Sequence, residues 1–402
     1  MTTTVPTGGN GFEAAAPPSS PHAARRWDPL AGLRAADGPD IDVFVSGMVF
    51  LDIVFTGLPT APKAGTEVWT SGMGSAPGGI ANFAIASARL GLRTSLAAGF
   101  GDDIYGDYCW RTLQDQEGVD LSRSRRFPGW HSPVTASIAV DRDRSMITHG
   151  HELPISVDDL VGDPPPSLAV FADLASGSGE IGLPGWARRA GAKGALVFVD
   201  AGWDPSGLWN PDLARQLAGV HAFLPNEVEA MAYTRTQSPD DALRVLAEWV
   251  PLAVVTRGAD GAMAIDATTG EQASVPAPRV DAIDPTGAGD VFDAGFMVGT
   301  LAGWPLRERL LFATLCAALA VTHVGSSLAA PGWADIVCWW KDTRRRARAG
   351  DGTASELAAS YGFLEDLLPP TPVEAVNRAH ATLGRSVAVA RNTTSAKDKE
   401  EP

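Results

Sequence analysis

Cysteine is scarce in this sequence. Three cysteines occur in 402 residues, at Cys109, Cys316 and Cys338, and no two of them form a CxxC pair. Neither a disulfide framework nor a cysteine-based zinc site is therefore expected. The low count fits a reducing compartment, so the sequence predicts a cytoplasmic protein.

Long apolar runs and positive charge are also missing. No apolar stretch reaches the roughly 18 residues that span a bilayer, and the N-terminus lacks the basic start and apolar core of a secretory signal. Lysine and arginine total 32 against 47 aspartates and glutamates, for a formal net charge of -15. Because this charge repels nucleic-acid phosphates and anionic membrane surfaces, neither is expected as a partner.

The order of apolar and polar residues indicates an α/β protein. Residues 1–40 are rich in Ala, Pro, Gly, Ser and Thr without periodicity, which predicts a disordered leader. Beyond them, short apolar runs such as 168–171 and 252–255 alternate with helical patterns such as 79–91 and 290–302. Buried strands that alternate with helices predict a mostly parallel sheet covered by helices, in a main domain over 41–340.

Three stretches depart from this alternation. Residues 52–72 and 130–150 are more purely strand-like, which favours a small separate sheet that is either a lid or an ordinary edge hairpin. Residues 341–402 form a predicted appended segment with helical patterns near 354–367 and 372–383, followed by a polar tail. Its arginine cluster at 344–348 is typical of a solvated helix face, although an anion or partner site is the alternative.

The run DPTGAGD at 284–290 precedes an apolar pattern of helical spacing that includes Phe292 and Phe296. Its glycines therefore lie at a helix start, where unpaired amides and the helix dipole attract anions. Because Gly287 and Gly289 have no side chain, a phosphate can approach the amides of residues 287–290 closely. Asp290 can act there as a general base for an attacking hydroxyl, or it can simply be the helix N-cap.

Other glycine motifs for phosphate binding are absent. The sequence has no GxxxxGK[ST] run, so it is not a P-loop kinase, and its glycine run lies too late for a dinucleotide fold that opens with GxGxxG.

The motifs resemble those of one family. The run at 284–292 resembles the C-terminal signature of the ribokinase-like (PfkB) carbohydrate kinases, and GGIANFA at 78–84, which leads into ARLG at 88–91, resembles their N-terminal glycine motif. The resemblance covers roughly 41–335. It implies a three-layer α/β/α fold with a mostly parallel central sheet and a small β lid, and an ATP-dependent transfer of a phosphoryl group to a hydroxymethyl group.

The resemblance also implies the residues of each subsite. The implied catalytic groups are Asp290, as the base, and the backbone amides of Gly287, Ala288 and Gly289. The implied substrate-binding residues are Asp52, Gly78, Gly79, Asn82 and Glu152. Taken alone, however, Asp52 can cap a turn and Asn82 can be a helix-end residue.

The nucleotide side is implied by two further matches. PNEVE at 225–229 resembles the NxxE motif, which organises magnesium and phosphate largely through water, and TRGADG at 256–261 resembles a TxGxxG nucleotide loop. The cofactor-binding set is Asn226, Glu229, Thr256, Gly258, Gly261 and Thr286. Glu229 is expected to reach Mg²⁺ through water, and Asp284, opposite Ser326 or its neighbours, is expected to support a monovalent cation such as K⁺. His149 and His151 are not expected to bind a metal.

The acceptor is left open between three classes. Ribokinases commonly carry lysine where this chain has Ile80, which disfavours ribose and leaves a neutral sugar or sugar acid as the preferred acceptor. An adenosine-type nucleoside is second, since Trp69, Phe83, Trp130 and Phe55 could supply an apolar wall for a base. A phosphosugar is third, with cationic candidates at Arg125, Arg126, Arg142 and Arg144. A non-catalytic sugar-binding regulator on a kinase fold and a homodimer formed through the lid are further hypotheses.

Overall fold

An eight-stranded sheet forms the centre of the computed structural model, which describes residues 27–140, 143–174, 182–201, 209 and 212–381. The strands, in chain order, are β1 (Ile41–Ser46), β2 (Val49–Thr56), β3 (Gly72–Gly79), β4 (Thr94–Ala97), β5 (Gly99–Gly101), β6 (Arg125–Phe127), β7 (Val134–Val140), β8 (Asp143–His149), β9 (Ser167–Asp173), β10 (Leu196–Asp200), β11 (Ala222–Phe223), β12 (Leu252–Thr256), β13 (Ala262–Asp266) and β14 (Glu271–Val275).

Helices connect most of these strands. They are α1 (Ile80–Arg89), α2 (Ile104–Arg111) with a π-helical continuation (Thr112–Gln116), α3 (Val157–Val161), α4 (Gly185–Ala192), α5 (Leu213–Gln216), α6 (Glu227–Thr234), α7 (Pro239–Trp249), α8 (Ala288–Leu301), α9 (Leu306–Ala320), α10 (Ser326–Ala329), α11 (Trp333–Arg348), α12 (Gly352–Ser360) and α13 (Leu364–Leu367). No helix within the described ranges is both long and apolar enough to cross a membrane.

The central sheet has the order β14-β13-β12-β11-β10-β9-β1-β4 and is parallel except for the antiparallel pairs β12–β13 and β13–β14. The chain passes from β1 to β4 on one side, and from β9 outward on the other. The order of strands therefore reverses between β1 and β9. In open parallel sheets such a point leaves a crevice at the carboxyl ends of the strands, where ligands bind.

Helices cover both faces of this sheet. Successive residues of β1 point to opposite sides: Val43 and Val45 belong to one apolar core and Phe44 to the other. On the first side Phe83 of α1 stacks on Phe171 of β9 with ring centroids 4.0 Å apart. On the second side Phe44 meets Trp186 of α4 edge-on at 5.5 Å. The predicted three-layer α/β/α fold with a mostly parallel sheet is confirmed.

A second sheet has the order β3-β2-β7-β8 and projects from the main domain. Strand β2 pairs antiparallel with β3 and parallel with β7, and β7 pairs antiparallel with β8. It draws strands from both of the strand-like stretches noted in the sequence, but residues 57–71 contain no strand. Strand β3 has the glycine-rich sequence GMGSAPGG and is extended because the β2 ladder pairs with it along its whole length.

The N-terminal part of the described chain is ordered. Leu30 is buried in the core, and the Arg34 guanidinium makes ion pairs of 2.6 Å with both Asp28 and Asp42. The disordered leader predicted over 1–40 is therefore wrong for residues 27–40, because these contacts tie them to β1. The rest of that predicted leader lies outside the described residues.

The C-terminal segment also differs from its prediction. Helix α11 runs through the predicted boundary at 341, and Tyr361 is buried against Trp339 with ring centroids 5.0 Å apart. Residues 372–380 contain no helix, so the helix predicted over 372–383 is wrong there; His380 instead forms a β-bridge with Ser75. Three arginines of the cluster pair with nearby acids, as Arg346 does with Asp351 at 2.7 Å, which is typical of a solvated helix face.

Candidate functional site

The glycine run at 284–290 forms the start of α8. Gly287 is the N-cap, with φ 78° and ψ 5°, and it has no side chain to close the end of the helix. Asp290 is the third residue of the helix, so the interpretation of this aspartate as the N-cap is wrong. The Ala288 N–H donates to Pro285 O at 3.2 Å and holds the turn, while Gly289 is exposed. The helix therefore presents an open, positively polarised start with a carboxylate in its first turn.

Helix α1 begins beside α8. Its N-cap is Gly79, and its third residue, Asn82, is buried. The Asn82 Nδ2 donates to the Asp290 Oδ2 at 3.1 Å, and a Cβ on Gly287 would lie 3.2 Å from the Asn82 Cγ. The two glycine motifs thus meet at one place, at the carboxyl edge of the central sheet.

Asp52 lies on the second sheet next to the first glycine motif. It is buried in β2 opposite Ala76 of β3, and a Cβ on Gly78 would fall 2.0 Å from its Oδ2. Only glycine at position 78 leaves this carboxylate in place. The ring of Phe50, two residues earlier on the same face of β2, lies 2.6 Å from where a Cβ of Gly79 would be. Sequence reasoning missed Phe50, although its spacing from Asp52 was a usable signal.

The Asp284 carboxylate is buried behind the helix start. Its Oδ1 accepts from the Thr286 N–H at 3.0 Å and its Oδ2 from the Gly325 N–H at 3.2 Å. The Thr286 Oγ1 is buried and has no hydrogen-bond partner within the described part of the chain. Ser326 is also buried, but its Oγ lies near Pro77 O rather than near Asp284. The expected pairing of Asp284 with residues around Ser326 is therefore made by the Gly325 backbone amide.

The two nucleotide motifs are neighbours. Strands β11 and β12 are paired, Asn226 forms a β-bridge with Thr256, and the Thr256 N–H donates to Pro225 O at 3.1 Å. Asn226 is the N-cap of α6 and forms a capping box with Glu229, whose Oε2 accepts from the Asn226 N–H at 3.0 Å. The spacing of this motif is thus explained by a helix cap, which also fixes Glu229 in a buried position.

The two glycines of the TxGxxG loop have different surroundings. A Cβ on Gly258, at φ 51°, would meet no atom within 4 Å, so the loop is open to a ligand there. A Cβ on Gly261, at φ 96°, would lie 2.0 Å from Val275 O. Gly261 is therefore required for the packing of its turn against β14 rather than for access by a ligand.

Three acids of this region were missed by sequence reasoning. Asp173 and Asp200 end the adjacent strands β9 and β10 and lie opposite each other, and Asp293 is buried one turn beyond Asp290. Burial raises the pKa of Asp200 well above its usual value, with Glu229 and Asp173 adding to the shift. An aspartate directly after an apolar strand run was the available signal, since carboxyl ends of parallel strands face the crevice.

Asp293 and Glu229 are shifted in the same direction. Burial raises the pKa of the Asp293 carboxyl well above its usual value, and the charges of Asp200 and Asp290 contribute. Burial also raises the pKa of Glu229, against the opposing effect of its hydrogen bonds with Asn226. Burial and mutual repulsion therefore favour the protonated forms of Asp200, Glu229 and Asp293, and a bound cation would favour their charged forms. Among the described residues, no three His, Cys, Asp or Glu side chains are arranged to hold a metal ion directly.

The other expected site residues differ in exposure and in their partners. The Glu152 side chain is exposed, and its backbone oxygen accepts from the Trp130 Nε1 at 3.0 Å. Phe83 and Trp130 are buried, whereas Trp69 is 82% exposed. Arg126 pairs with Asp107 and covers the ring of Trp110. The side chains of Arg142 and Arg144 lie outside the described residues.

The fold has three α/β/α layers, and one helix starts at a glycine cap with an acid in its first turn and a second glycine motif beside it. Together these features define a small-molecule kinase of the ribokinase type. The chain belongs to the pfkB family of carbohydrate kinases, whose model matches residues 59–332. It is thus an ATP-dependent phosphotransferase of the kind that acts on sugars and nucleosides.

Curated relatives include both acceptor types. The chain is 38% identical to a cytidine kinase of Thermococcus kodakarensis over 120 residues, which is 29% of this chain and 43% of that one. It is 28% identical to a nucleoside kinase of Methanothermobacter thermautotrophicus over 74% of this chain and 95% of that one. It is 32% identical to a fructokinase of Klebsiella pneumoniae over 63% of this chain and 89% of that one.

Among solved structures, Arabidopsis thaliana ribokinase complexed with ribose and ATP superposes with a TM-score of 0.60. The match has 24% sequence identity and covers 73% of this chain and 96% of that chain. At this level of identity the likeness supports the fold.

Proposed function

We propose that this kinase transfers the γ-phosphoryl group of ATP to a hydroxymethyl oxygen of a neutral sugar or sugar-like molecule, with Asp290 as the general base. The observation that carries the proposal is the hydrogen bond from the Asn82 amide to the Asp290 carboxylate. It places the acid of the phosphate-binding helix directly beside the glycine motif that faces Asp52.

In the proposed reaction the Asp290 carboxylate accepts the proton of the acceptor hydroxyl. The new bond forms between that oxygen and the γ-phosphorus, and the bond from the γ-phosphorus to the β,γ-bridging oxygen breaks, leaving ADP. The backbone amides of Gly287, Ala288 and Gly289 stabilise the charge on the transferred group. The Ala288 amide would exchange its bond to Pro285 O for one to a phosphate oxygen.

The acceptor is held from the side of the second sheet. Asp52 accepts hydrogen bonds from acceptor hydroxyls, and the bare backbone at Gly78 and Gly79 allows the acceptor to come close. Asn82 orients Asp290 and contacts the acceptor. Phe50 supplies an apolar wall beside them. Movement of the second sheet as a lid would exclude water and limit ATP hydrolysis.

The nucleotide lies over the loop that follows β12. Thr256 and the open face of Gly258 contact it, while Asn226 and Thr286 contribute polar groups around the phosphates. Magnesium, when bound, neutralises phosphate charge. Since the described part of the chain has no set of three His, Cys, Asp or Glu side chains placed to hold it, magnesium would be held mainly by phosphate oxygens and water, with Glu229 acting through water. A potassium ion would lie near Asp284, although both oxygens of this carboxylate already accept backbone N–H groups.

A neutral sugar is favoured over the other acceptors because several side chains that could have bound a nucleoside base or a phosphosugar are buried or already paired. Two of the aromatic residues that could have formed a wall for a nucleoside base, Phe83 and Trp130, are buried in the core. Arg126, a candidate anchor for a phosphosugar, is already paired with Asp107. Phe50 and Asp52 together suit a compact ring that has an apolar face and vicinal hydroxyls.

The proposal is tested by the Asp290→Asn variant with a panel of sugars, sugar acids, nucleosides and phosphosugars. We expect ADP release by the native protein to depend on a neutral sugar. The variant should bind ATP with nearly native affinity but lose about 10²- to 10⁴-fold in turnover, because the proton acceptor is missing. Asp281→Asn, at an exposed carboxylate outside the site, is the matched control and should retain native turnover. Near-native turnover of Asp290→Asn would exclude Asp290 as the base. Acceptor binding without ADP release would indicate a regulator instead.

A further inference from the structure

Residues 372–380, here called the strap, lie beyond the region matched by the family model and contact both the second sheet and α10. The Ser75 N–H of β3 donates to His380 O at 3.0 Å, so the strap pairs with the edge of the second sheet. Strand β3 is the strand that ends in the glycine motif at 78–79. The strap thus contacts the acceptor side of the site through backbone atoms.

A slot between two glycines holds the strap next to this bond. A Cβ on Gly74 of β3 would lie 3.1 Å from the Ala379 Cβ, and a Cβ on Gly325 would lie 2.2 Å from it. Ala379 therefore fills the space between β3 and the residue that caps α10. A side chain at either glycine would push the strap out of this slot.

Arg378 anchors the strap to the end of α10. The last carbonyls of a helix have no partner within it, and a guanidinium placed there is favourable for both hydrogen bonding and charge. The Arg378 Nη2 donates to the Asp335 Oδ1 at 2.8 Å, and the Arg378 side chain is only 25% exposed. The Nη1 donates to Leu328 O at 3.4 Å, to Ala329 O at 2.9 Å and to Ala330 O at 3.1 Å.

A second, buried arginine joins the strap to the same helix end. The Arg89 Nη2 donates to Asn377 O at 2.7 Å, and its Nη1 donates to Ala330 O at 2.6 Å. Arg89 is itself held by Glu117, with N–O distances of 2.8 and 3.0 Å. The strap backbone is therefore fixed by a rigid, fully buried ion pair rather than by loose surface packing.

The opposite end of α10 contacts both halves of the proposed site. Its N-cap, Gly325, donates to Asp284, which in turn accepts from the Thr286 N–H just before the phosphate-binding helix start. Ser327 in α10 donates from its Oγ to Pro77 O, beside Gly78. Each of these contacts depends on where α10 lies.

We propose that the strap positions the active site, with Arg378 and Ala379 as positioning residues that fix the spacing between β3 and α10. Through Gly325 and Asp284 the strap holds the start of α8, and through Ser75 it holds the strand that carries Gly78. This inference rests on the proposed phosphate site at the start of α8. The strap does not touch the reacting groups, so its removal should misplace them rather than remove any chemistry.

The test uses Arg378→Ala in the full chain. We expect kcat, measured as acceptor-dependent ADP release, to fall about 10-fold or more, because small displacements of oriented groups are costly in turnover, while KM for ATP changes less. Hydrogen exchange at the Ser75 amide should become faster. Arg378→Lys keeps a cation at the helix end and should recover part of kcat. Ala379→Gly, a milder change that empties the slot, should shift kcat and Ser75 exchange in the same direction.

Arg345→Ala is the matched control, since Arg345 lies on an exposed face of the same C-terminal part and pairs only with Asp342 among the described residues. It should leave kcat and Ser75 exchange unchanged. Native kcat in both Arg378→Ala and Ala379→Gly, with faster Ser75 exchange, would overturn the proposal, because the strap would then merely cover a sheet edge. An equal loss in Arg345→Ala would overturn it too. Native turnover of Asp290→Asn would argue against the proposed base, but it would not affect the comparison of Arg378→Ala with Arg345→Ala.

Discussion

The Nδ2 of Asn82 lies 3.1 Å from the Oδ2 of Asp290, although 208 residues separate them in the chain. The bond joins the first turns of α1 and α8, two helices that each begin at a glycine N-cap with a positive φ. It fixes the rotation of the carboxylate that we propose as base. The side-chain oxygen of Asn82, Oδ1, is buried and accepts no hydrogen bond from the described residues, which suits a hydroxyl donor from an acceptor.

The first prediction concerns Asn82→Asp. The variant places a second carboxylate beside Asp290, and two like charges at this distance cannot both ionise easily. We expect the acid limb of the pH profile of kcat to move to higher pH, with the two acids titrating as a pair. The measurement is kcat against pH at saturating substrates. Asn82→Ala removes the hydrogen bond without adding charge, so it should lower kcat and leave that limb nearer its native position. A native profile for Asn82→Asp would contradict the arrangement.

A second prediction concerns Gly287→Ala. The new side chain must adopt φ 78°, which costs about 1–2 kcal/mol, and its Cβ would press on the Asn82 side chain at 3.2 Å. We expect a comparable loss of unfolding free energy in denaturant titration, and a loss of about 10-fold or more in kcat. Gly303→Ala is the matched control, because Gly303 has φ 69° and a Cβ there meets no atom within 4 Å. It should show the loss of stability alone; an equal loss of kcat in the control would refute the steric explanation.

A third prediction follows from the raised pKa of the Asp293 carboxyl. Below about pH 4 this group is protonated in the folded and the unfolded chain, so its burial costs little. As pH rises above the usual value of 3.8, the unfolded chain releases the proton that the folded protein retains, and the free energy of unfolding falls. We expect Asp293→Asn to be more stable than the native protein at pH 7, with the gain shrinking towards pH 4. The measurement is denaturant unfolding at several pH values.

Asp281→Asn serves as the control for this experiment because Asp281 is exposed. A gain for Asp293→Asn that is the same at pH 4 and pH 7 would show that charge burial is not its source.

The fourth prediction concerns the buried pair of Arg89 and Glu117. Arg89→Ala removes the buried ion pair with Glu117 and frees the strap carbonyl at Asn377, so the free energy of unfolding should fall by about 3–5 kcal/mol. Arg244→Ala is the control: Arg244 pairs with Asp241 on an exposed helix face, and its loss should cost about 1 kcal/mol or less. Urea titration of both variants checks the difference. Equal effects would mean that the buried pair is not an anchor.

Much of the fold was predictable because it follows local rules. Continuous apolar runs such as 168–171 and 252–255 became strands buried on both faces of the sheet, and the glycine run at 284–290 became a helix start. The residues that the glycine motifs bring together were also identified, since each motif has a strict order of residue types. Their contact across the chain followed from the resemblance to a family and not from either motif alone.

The remaining features depend on distant partners that local sequence does not reveal. Strand β3 is extended because β2 pairs with it, and the strap is not helical because Arg378, Asn377 and His380 form hydrogen bonds with distant parts of the chain. A helical pattern was visible in the same residues, but these tertiary hydrogen bonds outweigh the weak preference of a short segment. The spacing of Asn226 and Glu229 fits two interpretations, because a capping box and a phosphate motif use the same residue types.

The long separation between Asn82 and Asp290 has a consequence for how the protein matures. Helices α1 and α8 can each form early from local contacts, but they meet only after the intervening strands have been ordered. During refolding, helical content should therefore appear before enzymatic activity. The same holds for a chain that is still being synthesised, which stays inactive until α8 and then the strap have left the ribosome. Enzymatic activity is therefore expected to appear late in the folding of this protein.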